Sequence, residues 1–300
     1  MTVLEAIQKS TEFLGKKNVE SPRLQTELLL AHVLKLPRMK LYLNFDRVLS
    51  PVETDALREL VKRRGLREPL QHITGSISFC GLEIAVNRHA LIPRPETELL
   101  AELGWQHLSE KSSAASLRPP GTHSEPRALD FGTGTGCIAI ALAVKCPGAK
   151  ITAMDISPDA LALAKENAAK NNVSARVEFF QGDGLGMLPP AAFDLVVSNP
   201  PYIPSAEIAM LEPEVRDFDP RTALDGGPDG LDFYRTLAAQ AVSWLKPGGK
   251  IMLEFGDGQD GAIKKILEAE NWIVEAVKDD YSQRARILIA KSSSFSSSSS

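Results

Sequence analysis

From Arg127 onward, short apolar runs rich in β-branched residues alternate with longer stretches that have helical spacing. Seven of these runs have the length and composition of β-strands: 128–131, 150–155, 176–181, 193–198, 250–255, 272–278 and 285–290. Helical patterns lie between most of them, and strands that are joined through helices usually run parallel in one sheet with helices on both faces. The alternation therefore predicts an α/β domain built on a mostly parallel, doubly wound sheet.

The first 73 residues have a different pattern, in which apolar residues recur at helical spacing over 24–34 and 55–64. Ser-Pro pairs stand ahead of both segments, as helix start signals do. The pattern predicts a small helical domain over 1–73. A short basic run within it, at 62–64 and 67, is typical of a solvated helix face.

Three further segments complete the predicted organisation. Residues 76–86 alternate apolar and polar side chains around Cys80-Gly81, which predicts a β-hairpin in a linker over 74–90. Residues 111–126 have no periodic apolar pattern and are predicted to form a mobile surface loop. The sheet domain is expected over 91–290, and the serine-rich residues 291–300 are expected to be a disordered tail.

Composition limits the function classes. A net charge of −4 and a pI near 5.8 argue against a protein that holds nucleic acid by general phosphate neutralisation. The three cysteines lack the paired spacing of a zinc site, so we expect no metal and a reducing compartment. The sequence begins without a signal-peptide pattern and has no run of about 18 apolar residues. We therefore expect a cytoplasmic protein with no membrane partner.

The segment Asn199-Pro200-Pro201-Tyr202 follows the strand candidate at 193–198. The two prolines lack an N–H for strand pairing and fix φ, so the turn is stiff. A side-chain carboxamide, a free main-chain carbonyl and an aromatic ring suit a planar amide or amine, because both oxygens can accept from one NH2 group. The alternative is that the turn only terminates a strand.

Glycines and acidic residues stand at the ends of the three preceding strand candidates. Residues 132–136 (Gly-Thr-Gly-Thr-Gly) follow the first strand, where glycines let a ligand approach the backbone. Cys137 stands where a dinucleotide fingerprint has Gly or Ala, which weakens an NAD interpretation. Asp155 ends the second strand, at the position of a carboxylate that binds ribose hydroxyls.

Asp183 and Gly184 follow the third strand, where an Asp can accept from an adenine amino group. Each feature alone is compatible with turn chemistry. Together they predict an adenosine-shaped slot whose reactive end reaches Asn199. The predicted cofactor-binding residues are Gly132, Thr133, Gly134, Thr135, Gly136, Asp155, Asp183, Gly184 and Asn199.

Five motifs carry a family resemblance: LIPRPETE at 91–98, DFGTGTG at 130–136, NPPY at 199–202, DPRTAL at 219–224 and DDYSQRAR at 279–286. With them the chain resembles the HemK/PrmC family of protein-(glutamine-N5) methyltransferases, from about residue 70 to 290; the helical region fits the family's smaller domain by pattern only. NPPY is shared with DNA adenine methyltransferases, whereas LIPRPETE is much more specific. Gly184 stands where many relatives carry a large aromatic residue, so a stacking wall for adenine is absent at that position.

The resemblance implies a seven-stranded, Rossmann-like class I methyltransferase sheet that uses S-adenosylmethionine, and a helical domain that recognises the substrate. The expected reaction is methylation of the side-chain amide nitrogen of a glutamine, in a GGQ-type motif of a peptide chain release factor. Asn199, Pro200 and Tyr202 are the expected catalytic residues, with Asn199 and the Pro200 carbonyl orienting and stabilising that nitrogen and Tyr202 packing against the substrate amide. These three residues and Pro201 are expected to bind the substrate. We expect a monomer that makes no direct contact with nucleic acid.

Two rival functions remain open at this point. The first is a DNA or RNA amino-group methyltransferase, which would flip a base into the same slot. Net acidity and the lack of an aromatic-studded basic surface count against it. The second is an adenosine-binding module without catalysis, against which the intact Asn-Pro-Pro-Tyr turn argues.

Overall fold

The chain forms two compact units. The computed structural model describes residues 1–116, 125–183 and 188–293. The first unit comprises residues 1–76 together with a later segment, 212–218. The second comprises residues 77–211 and the chain from Asp219 onward. The distant segment 212–218 was not predicted to belong with the amino-terminal helices.

The first unit is helical, as predicted. Its helices are α1 (Val3–Lys16), α2 (Pro22–Leu34), α3 (Arg38–Leu41), α4 (Pro51–Gly65) and α5 (Leu70–Thr74), so the helical region ends one residue later than predicted. Capping boxes begin two of them: Thr2 with Glu5 at α1, and Ser50 with Glu53 at α4. Leucines from several helices form the buried core, among them Leu14, Leu30 and Leu57.

Arg64 and Arg67 do not form the solvated face that the basic run predicted. Arg64 Nη2 donates to Glu214 Oε1 at 2.7 Å, and Arg67 Nε donates to the same oxygen at 2.6 Å. The Arg64 side chain is only 4% exposed. Glu214 belongs to a short helix, α9 (Pro213–Arg216), so these ion pairs join the distant segment to the helical unit. A carboxylate about 150 residues away in sequence cannot be assigned as a partner from a local charge pattern.

The predicted hairpin forms at the start of the second unit, with only its first residue, Ser76, counted in the first unit. Strands β1 (Ser76–Phe79) and β2 (Leu82–Ala85) form a two-stranded sheet. Cys80 and Gly81 connect them with φ of 50° and 78°. Positive φ at both central residues matches the right-handed twist of the strands.

The predicted parallel sheet contains the remaining seven strands. They are β3 (Arg127–Phe131), β4 (Lys150–Asp155), β5 (Val177–Gln181), β6 (Phe193–Ser198), β7 (Leu245–Glu254), β8 (Trp272–Asp279) and β9 (Ala285–Ser292). Their order is β5-β4-β3-β6-β7-β9-β8. The pairs from β5 to β7 are parallel, and β9 runs antiparallel to both of its neighbours, β7 and β8. Because β3 lies between β4 and β6, the chain reverses its direction of winding there and leaves a crevice at the carboxyl ends of these strands.

Helices cover both faces of the sheet, which confirms the doubly wound prediction. On one face lie α6 (Pro95–Ser116), α7 (Cys137–Lys145) and α8 (Pro158–Lys170), with a buried core that includes Leu108, Leu142 and Ala168. On the other lie α10 (Asp232–Trp244) and α11 (Asp260–Ala269), packed through Leu237 and Ile263. Two short 3-10 helices, Ile208–Met210 and Arg221–Ala223, lie in the connection between β6 and α10.

The predicted bounds differ from the structure by two or more residues at three places in this unit. Residues 111–116 continue α6 instead of beginning the predicted loop. The strand predicted at 250–255 begins earlier, because β7 starts at Leu245 and has an irregularity between the pairs Phe193–Leu245 and Leu195–Lys250. Strand β9 runs on to Ser292, because Lys291 and Ser292 pair with neighbouring strands despite their polar side chains. Residues 117–124 of the predicted loop and 294–300 of the predicted tail lie outside the described residues.

Candidate active site

A cavity of about 420 Å³ lies in the second unit, at the carboxyl ends of the central strands. It is lined by the glycine loop after β3 and by residues that follow β4, β5 and β6. Four predicted site residues at the ends of four strands therefore meet in one space: Gly132, Asp155, Asp183 and Asn199. The sequence prediction that these strand ends form a single slot agrees with this arrangement.

The glycine loop wraps the amino-terminal end of α7. Gly132, Gly134 and Gly136 have φ of 75°, 54° and 80°, which side chains other than glycine rarely adopt. The N–H groups of Gly132 and Thr133 both donate to the main-chain oxygen of Met154 at 2.9 Å, which fixes the loop to β4. An added Cβ at Gly136 would lie 3.0 Å from the Ala164 Cβ, whereas one at Gly132 would meet no atom within 4 Å. The loop thus packs tightly against α8 and leaves space at Gly132.

Asp130 stabilises the glycine loop through hydrogen bonds to its buried carboxyl group. Its Oδ2 accepts from Thr133 Oγ1 at 2.6 Å and from the Ala139 N–H at 3.0 Å. Its Oδ1 accepts no hydrogen bond from the residues that the structure describes. Burial raises the pKa of Asp130 to about 7, although the bonds from Thr133 and Ala139 act in the opposite direction. Asp130 is thus a buried support of the loop; the sequence analysis included it only within the DFGTGTG motif.

Asp155 joins the loop to the end of β4. Its Oδ2 accepts from the Gly134 N–H at 2.8 Å, and its Oδ1 accepts from the Ser157 N–H at 2.9 Å. An ionised carboxylate offers about four lone-pair sites, so each oxygen can still accept from a ribose hydroxyl. The side chain lines the cavity, where a bound nucleoside could reach it. Asp183 also lines the cavity, whereas Gly184 lies outside the described residues.

Asn199 is oriented by a hydrogen bond from its amide nitrogen. Asn199 Nδ2 donates to Thr97 Oγ1 at 3.1 Å. Within residues 1–116, 125–183 and 188–293 the structure shows no hydrogen bond to Asn199 Oδ1. The preceding residue, Ser198, donates through Oγ to the Phe131 main-chain oxygen at 2.6 Å, and this hydrogen bond connects the end of β6 to β3. The carboxamide oxygen is therefore available as an acceptor at the cavity.

The other members of the Asn-Pro-Pro-Tyr turn are placed differently. Pro201 lines the cavity, whereas Pro200 and Tyr202 are not among the described residues that line it. The Tyr202 ring packs against the core beside Gly256, where an added Cβ would lie 3.0 Å from Tyr202 Cδ2. Gln259 Nε2 donates to the Tyr202 main-chain oxygen at 2.9 Å. Burial raises the pKa of Tyr202 to about 12, and the Glu254 carboxyl adds to that rise. These contacts favour a packing role for the ring.

A second wall of the cavity comes from two motifs that the sequence analysis used only for the family resemblance. Arg94, in LIPRPETE, donates through Nη2 to Asp219 Oδ2 at 2.7 Å, and Asp219 opens the DPRTAL segment. The Asp219 side chain is 1% exposed. Burial raises the pKa of Asp219, and the charge of Arg94 opposes that rise. This ion pair fixes the segment whose residues Pro220, Thr222 and Ala223 line the cavity.

Asn167 is a structural residue that the sequence analysis missed. Its Oδ1 accepts from the Ala85 N–H at 2.7 Å, and its Nδ2 donates to the main-chain oxygens of Ala85 and Thr135 at 3.0 Å. One buried side chain on α8 thus connects the hairpin to the glycine loop. No motif marks an asparagine inside a helix for this role.

Comparison with known proteins assigns the chain to a family. Residues 5–75 match the family described as the PrmC N-terminal domain, and residues 114–211 match the methyltransferase small domain. The release factor glutamine methyltransferase of Geobacter sulfurreducens is 46% identical over 258 residues, which cover 86% of this chain and 85% of the relative. The chain belongs to the release factor glutamine methyltransferase family. The resemblance inferred from the five motifs is confirmed.

Further relatives agree with this family membership. The release factor glutamine methyltransferase of Chlorobaculum tepidum is 40% identical over 282 residues, which cover 93% of either chain. Among solved structures, the hMettl16 catalytic domain in complex with MAT2A 3'UTR hairpin 6 is 18% identical, with a TM-score of 0.53. That comparison covers 81% of this chain and 84% of the other, and it shows a shared fold.

Two other features are absent from the residues that the structure describes. No group of three or more His, Cys, Asp or Glu side chains in that part of the chain is arranged to hold a metal ion. None of the helices in the same ranges combines the length and the apolar character required to cross a bilayer.

Proposed function

We propose that the protein transfers a methyl group from S-adenosylmethionine to the side-chain amide nitrogen of a glutamine in a peptide chain release factor. One observation carries the proposal: Asn199 lines the nucleoside-sized cavity with its Oδ1 unbonded within the described residues. Family membership supports the substrate class, because the Geobacter sulfurreducens relative bears the name release factor glutamine methyltransferase.

The residues of the cavity fit S-adenosylmethionine. The glycine loop brings main-chain atoms to the cavity without side chains at Gly132 and Gly134, and Asp155 presents a carboxylate with unused lone pairs. Asp155 would accept from the ribose hydroxyls and Asp183 from the adenine amino group. When bound, the cofactor supplies a methyl group activated on a sulfonium.

Asn199 would bind and orient the substrate nitrogen that accepts the methyl group. An amide nitrogen is a poor nucleophile because its lone pair is delocalised into the carbonyl group. Asn199 Oδ1 and the Pro200 carbonyl would accept from its two N–H bonds, which orients the nitrogen and stabilises the positive charge that develops on it. In the described residues no hydrogen bond occupies the Pro200 main-chain oxygen. Positioning and charge stabilisation then act mainly in the transition state and raise the rate.

The helical unit is proposed to recognise the release factor. The second unit contains every described residue of the cavity, so cofactor binding requires nothing from residues 1–76. A separate folded unit with its own core is therefore free to bind the protein substrate. Segment 212–218 of this unit follows the Asn-Pro-Pro-Tyr turn along the chain. The backbone therefore connects the proposed substrate-binding unit to the proposed catalytic turn.

The test is a methyl-transfer assay with the methyl group of S-adenosylmethionine isotopically labelled. Purified release factor, an adenine-containing DNA duplex and a structured RNA are offered in parallel reactions, and mass spectrometry locates the label. We expect one methyl group on a glutamine side chain of the release factor and none when that glutamine is replaced by alanine. Label on adenine, or no transfer to release factor from enzyme that binds the cofactor, would contradict the proposal.

A further inference from the structure

Glu254 is a buried acid directly behind Asn199. It ends β7 and is 1% exposed. The Thr97 and Asn199 side chains lower the pKa of its carboxyl group, in the direction opposite to burial. Ser198 on β6 pairs with Leu253 on β7, so the next residues along these two parallel strands, Asn199 and Glu254, are neighbours. Its Oε2 has no hydrogen-bond partner among the residues that the structure describes. Thr97, Asn199 and Glu254 therefore form one polar cluster, and the roles proposed above assign nothing to Glu254.

Hydrogen-bond chemistry fixes the direction of every contact in this cluster while Glu254 is ionised. A carboxylate can only accept, so a hydrogen bond between it and Thr97 uses the single hydroxyl proton of Thr97. The Thr97 oxygen is then left as an acceptor, and it accepts from Asn199 Nδ2 at 3.1 Å. A hydrogen bond between Asn199 and the carboxylate likewise uses the NH2 group, which is the only donor of that side chain. The carboxamide oxygen must therefore point away from the cluster.

Several charged and polar groups act on Glu254 from neighbouring elements. Burial is the largest influence and raises the pKa of Glu254 to about 7; Arg286 on β9 lowers it and Glu96 on α6 raises it. Tyr234 on α10 donates through its hydroxyl to the Glu254 main-chain oxygen at 2.7 Å. The Glu254 charge also raises the pKa of Tyr202.

Arg286 is itself held in place by the DDYSQRAR segment and its surroundings. Its Nη2 donates to Asp257 Oδ1 at 2.6 Å, and its Nη1 donates to the Phe255 main-chain oxygen at 3.0 Å. Its Nε lies 3.6 Å from Asp280 Oδ2. A fixed guanidinium near Glu254 thus favours the ionised carboxyl against the effect of burial.

We propose that Glu254, acting directly and through Thr97, is a positioning residue that holds the Asn199 carboxamide with its oxygen toward the substrate amide. The proposal rests on the proposed function for the identity of that substrate. A protonated Glu254 becomes a hydrogen-bond donor, and it then favours the flipped carboxamide, in which Oδ1 faces the cluster. The flipped form presents an NH2 group to the substrate NH2 group, and neither can accept from the other. Protonation of Glu254 therefore switches off the acceptor that the reaction uses.

The first test follows the single-turnover rate of methyl transfer between pH 6 and pH 8.5, with cofactor and release factor saturating. In the parent enzyme we expect a rise in rate with an inflection near the Glu254 pKa. Glu254→Gln removes the titrating group, so its rate is lower at pH 8 and this inflection is absent. An unchanged inflection in Glu254→Gln would overturn the proposal.

Substitutions of Thr97 separate orientation from fold stability. Thr97→Val removes the hydroxyl and should lower the single-turnover rate by about 10-fold or more with little change in cofactor affinity. Thr97→Ser retains the hydroxyl and should restore most of the rate. Thr152→Val is the matched control, because Thr152 is a buried threonine on β4 that lies outside the cluster. Equal rates for Thr97→Val and the parent enzyme would overturn the proposal.

A second readout requires neither cofactor nor release factor. In the cofactor-free protein, the side-chain NH2 resonances of Asn199 are assigned by their loss in Asn199→Asp and followed by NMR against pH. We expect their chemical shifts to titrate with Glu254 in the parent protein and to be independent of pH in Glu254→Gln. If this titration occurs in a protein that does not methylate release factor, the proposed function fails and the positioning contact stands. If it is absent in a protein that methylates release factor, the positioning proposal alone fails.

Discussion

The main-chain N–H of Gly134 donates to Oδ2 of Asp155 at 2.8 Å, so one carboxylate both shapes the glycine loop and lines the cavity. Asp155 thus links the ends of two neighbouring strands, β3 and β4, at the position where the sequence predicts ribose binding. The same side chain is expected to serve the fold and the cofactor together.

Asp155→Ala is expected to weaken S-adenosylmethionine binding. It removes one or two charge-assisted hydrogen bonds to ribose, each worth about 1.5–3 kcal/mol, so the affinity should fall by about 10-fold or more. Glu166→Ala is the matched control, since it removes the same charge from the exposed side of the helix that follows β4. Titration calorimetry measures both variants, and an unchanged affinity for Asp155→Ala would exclude the ribose assignment.

Much of the fold could be predicted from the sequence because the apolar periodicity is local. The strands over 150–155 and 193–198 have the predicted bounds, and the hairpin at Cys80-Gly81 forms where turn residues interrupt the alternation. The boundary errors arise where tertiary pairing overrides composition. Lys291 and Ser292 extend β9 because the neighbouring strands offer partners, and a serine-rich sequence gives no sign of that.

The site was predicted in part for a similar reason. Residues at strand ends converge because parallel strands end at one edge, so Asp155 and Asn199 could be named in advance. Partners contributed by distant elements could not be named. Thr97, Asn167 and Glu254 reach the site from α6, α8 and β7, and none has a spacing that marks its role.

Asp130 is expected to make the free energy of unfolding depend on pH. Burial raises its pKa to about 7 in the folded protein, above the ordinary value, so the folded state binds a proton more tightly than the unfolded state. The contribution of this group to stability is therefore present at low pH and is lost as pH rises toward 7. Relative to Asp130→Asn, the parent should lose about 2–3 kcal/mol between pH 5 and pH 8.

Urea denaturation of the cofactor-free protein at several pH values measures this difference. Asp159→Asn serves as the control, because its side chain is 68% exposed. A difference between parent and Asp130→Asn that does not change with pH would show that the Asp130 pKa is ordinary.

Glu214→Gln is expected to destabilise the helical unit. It leaves the Arg64 side chain, which is 4% exposed, without its anionic partner. Removing one partner of a buried ion pair lowers the free energy of unfolding by on the order of 3 kcal/mol. Glu212→Gln removes an equal charge from the same segment, but Glu212 is 77% exposed and its pair should contribute at most about 1 kcal/mol.

The Glu214 substitution also tests the proposed role of the helical unit. We expect Glu214→Gln to raise KM for release factor while the affinity for S-adenosylmethionine and the stability of the second unit are unchanged. Chemical denaturation followed with probes in each unit gives the stabilities. An unchanged KM in a variant whose helical unit is demonstrably weakened would argue that substrate recognition lies elsewhere.

Tyr202 is expected to act through packing and not through its hydroxyl group. Its ring packs beside Gly256, and a pKa raised to about 12 by burial keeps the phenol neutral at working pH. Tyr202→Phe should therefore retain a single-turnover rate close to that of the parent. Tyr202→Ala should destabilise the fold by about 3–5 kcal/mol through the cavity that it leaves. A large loss of rate in a stably folded Tyr202→Phe would instead assign the hydroxyl a direct role.

Asn199→Ala removes the proposed acceptor, and its effect on the chemical step is the most direct test of the mechanism. The measurement is the single-turnover rate of methyl transfer to the release factor glutamine, with cofactor and substrate saturating. Because the acceptor acts mainly in the transition state, we expect the rate to fall by on the order of 100-fold or more, with little change in cofactor affinity. A rate near that of the parent enzyme would show that the Asn-Pro-Pro-Tyr turn only terminates a strand and would contradict the mechanism.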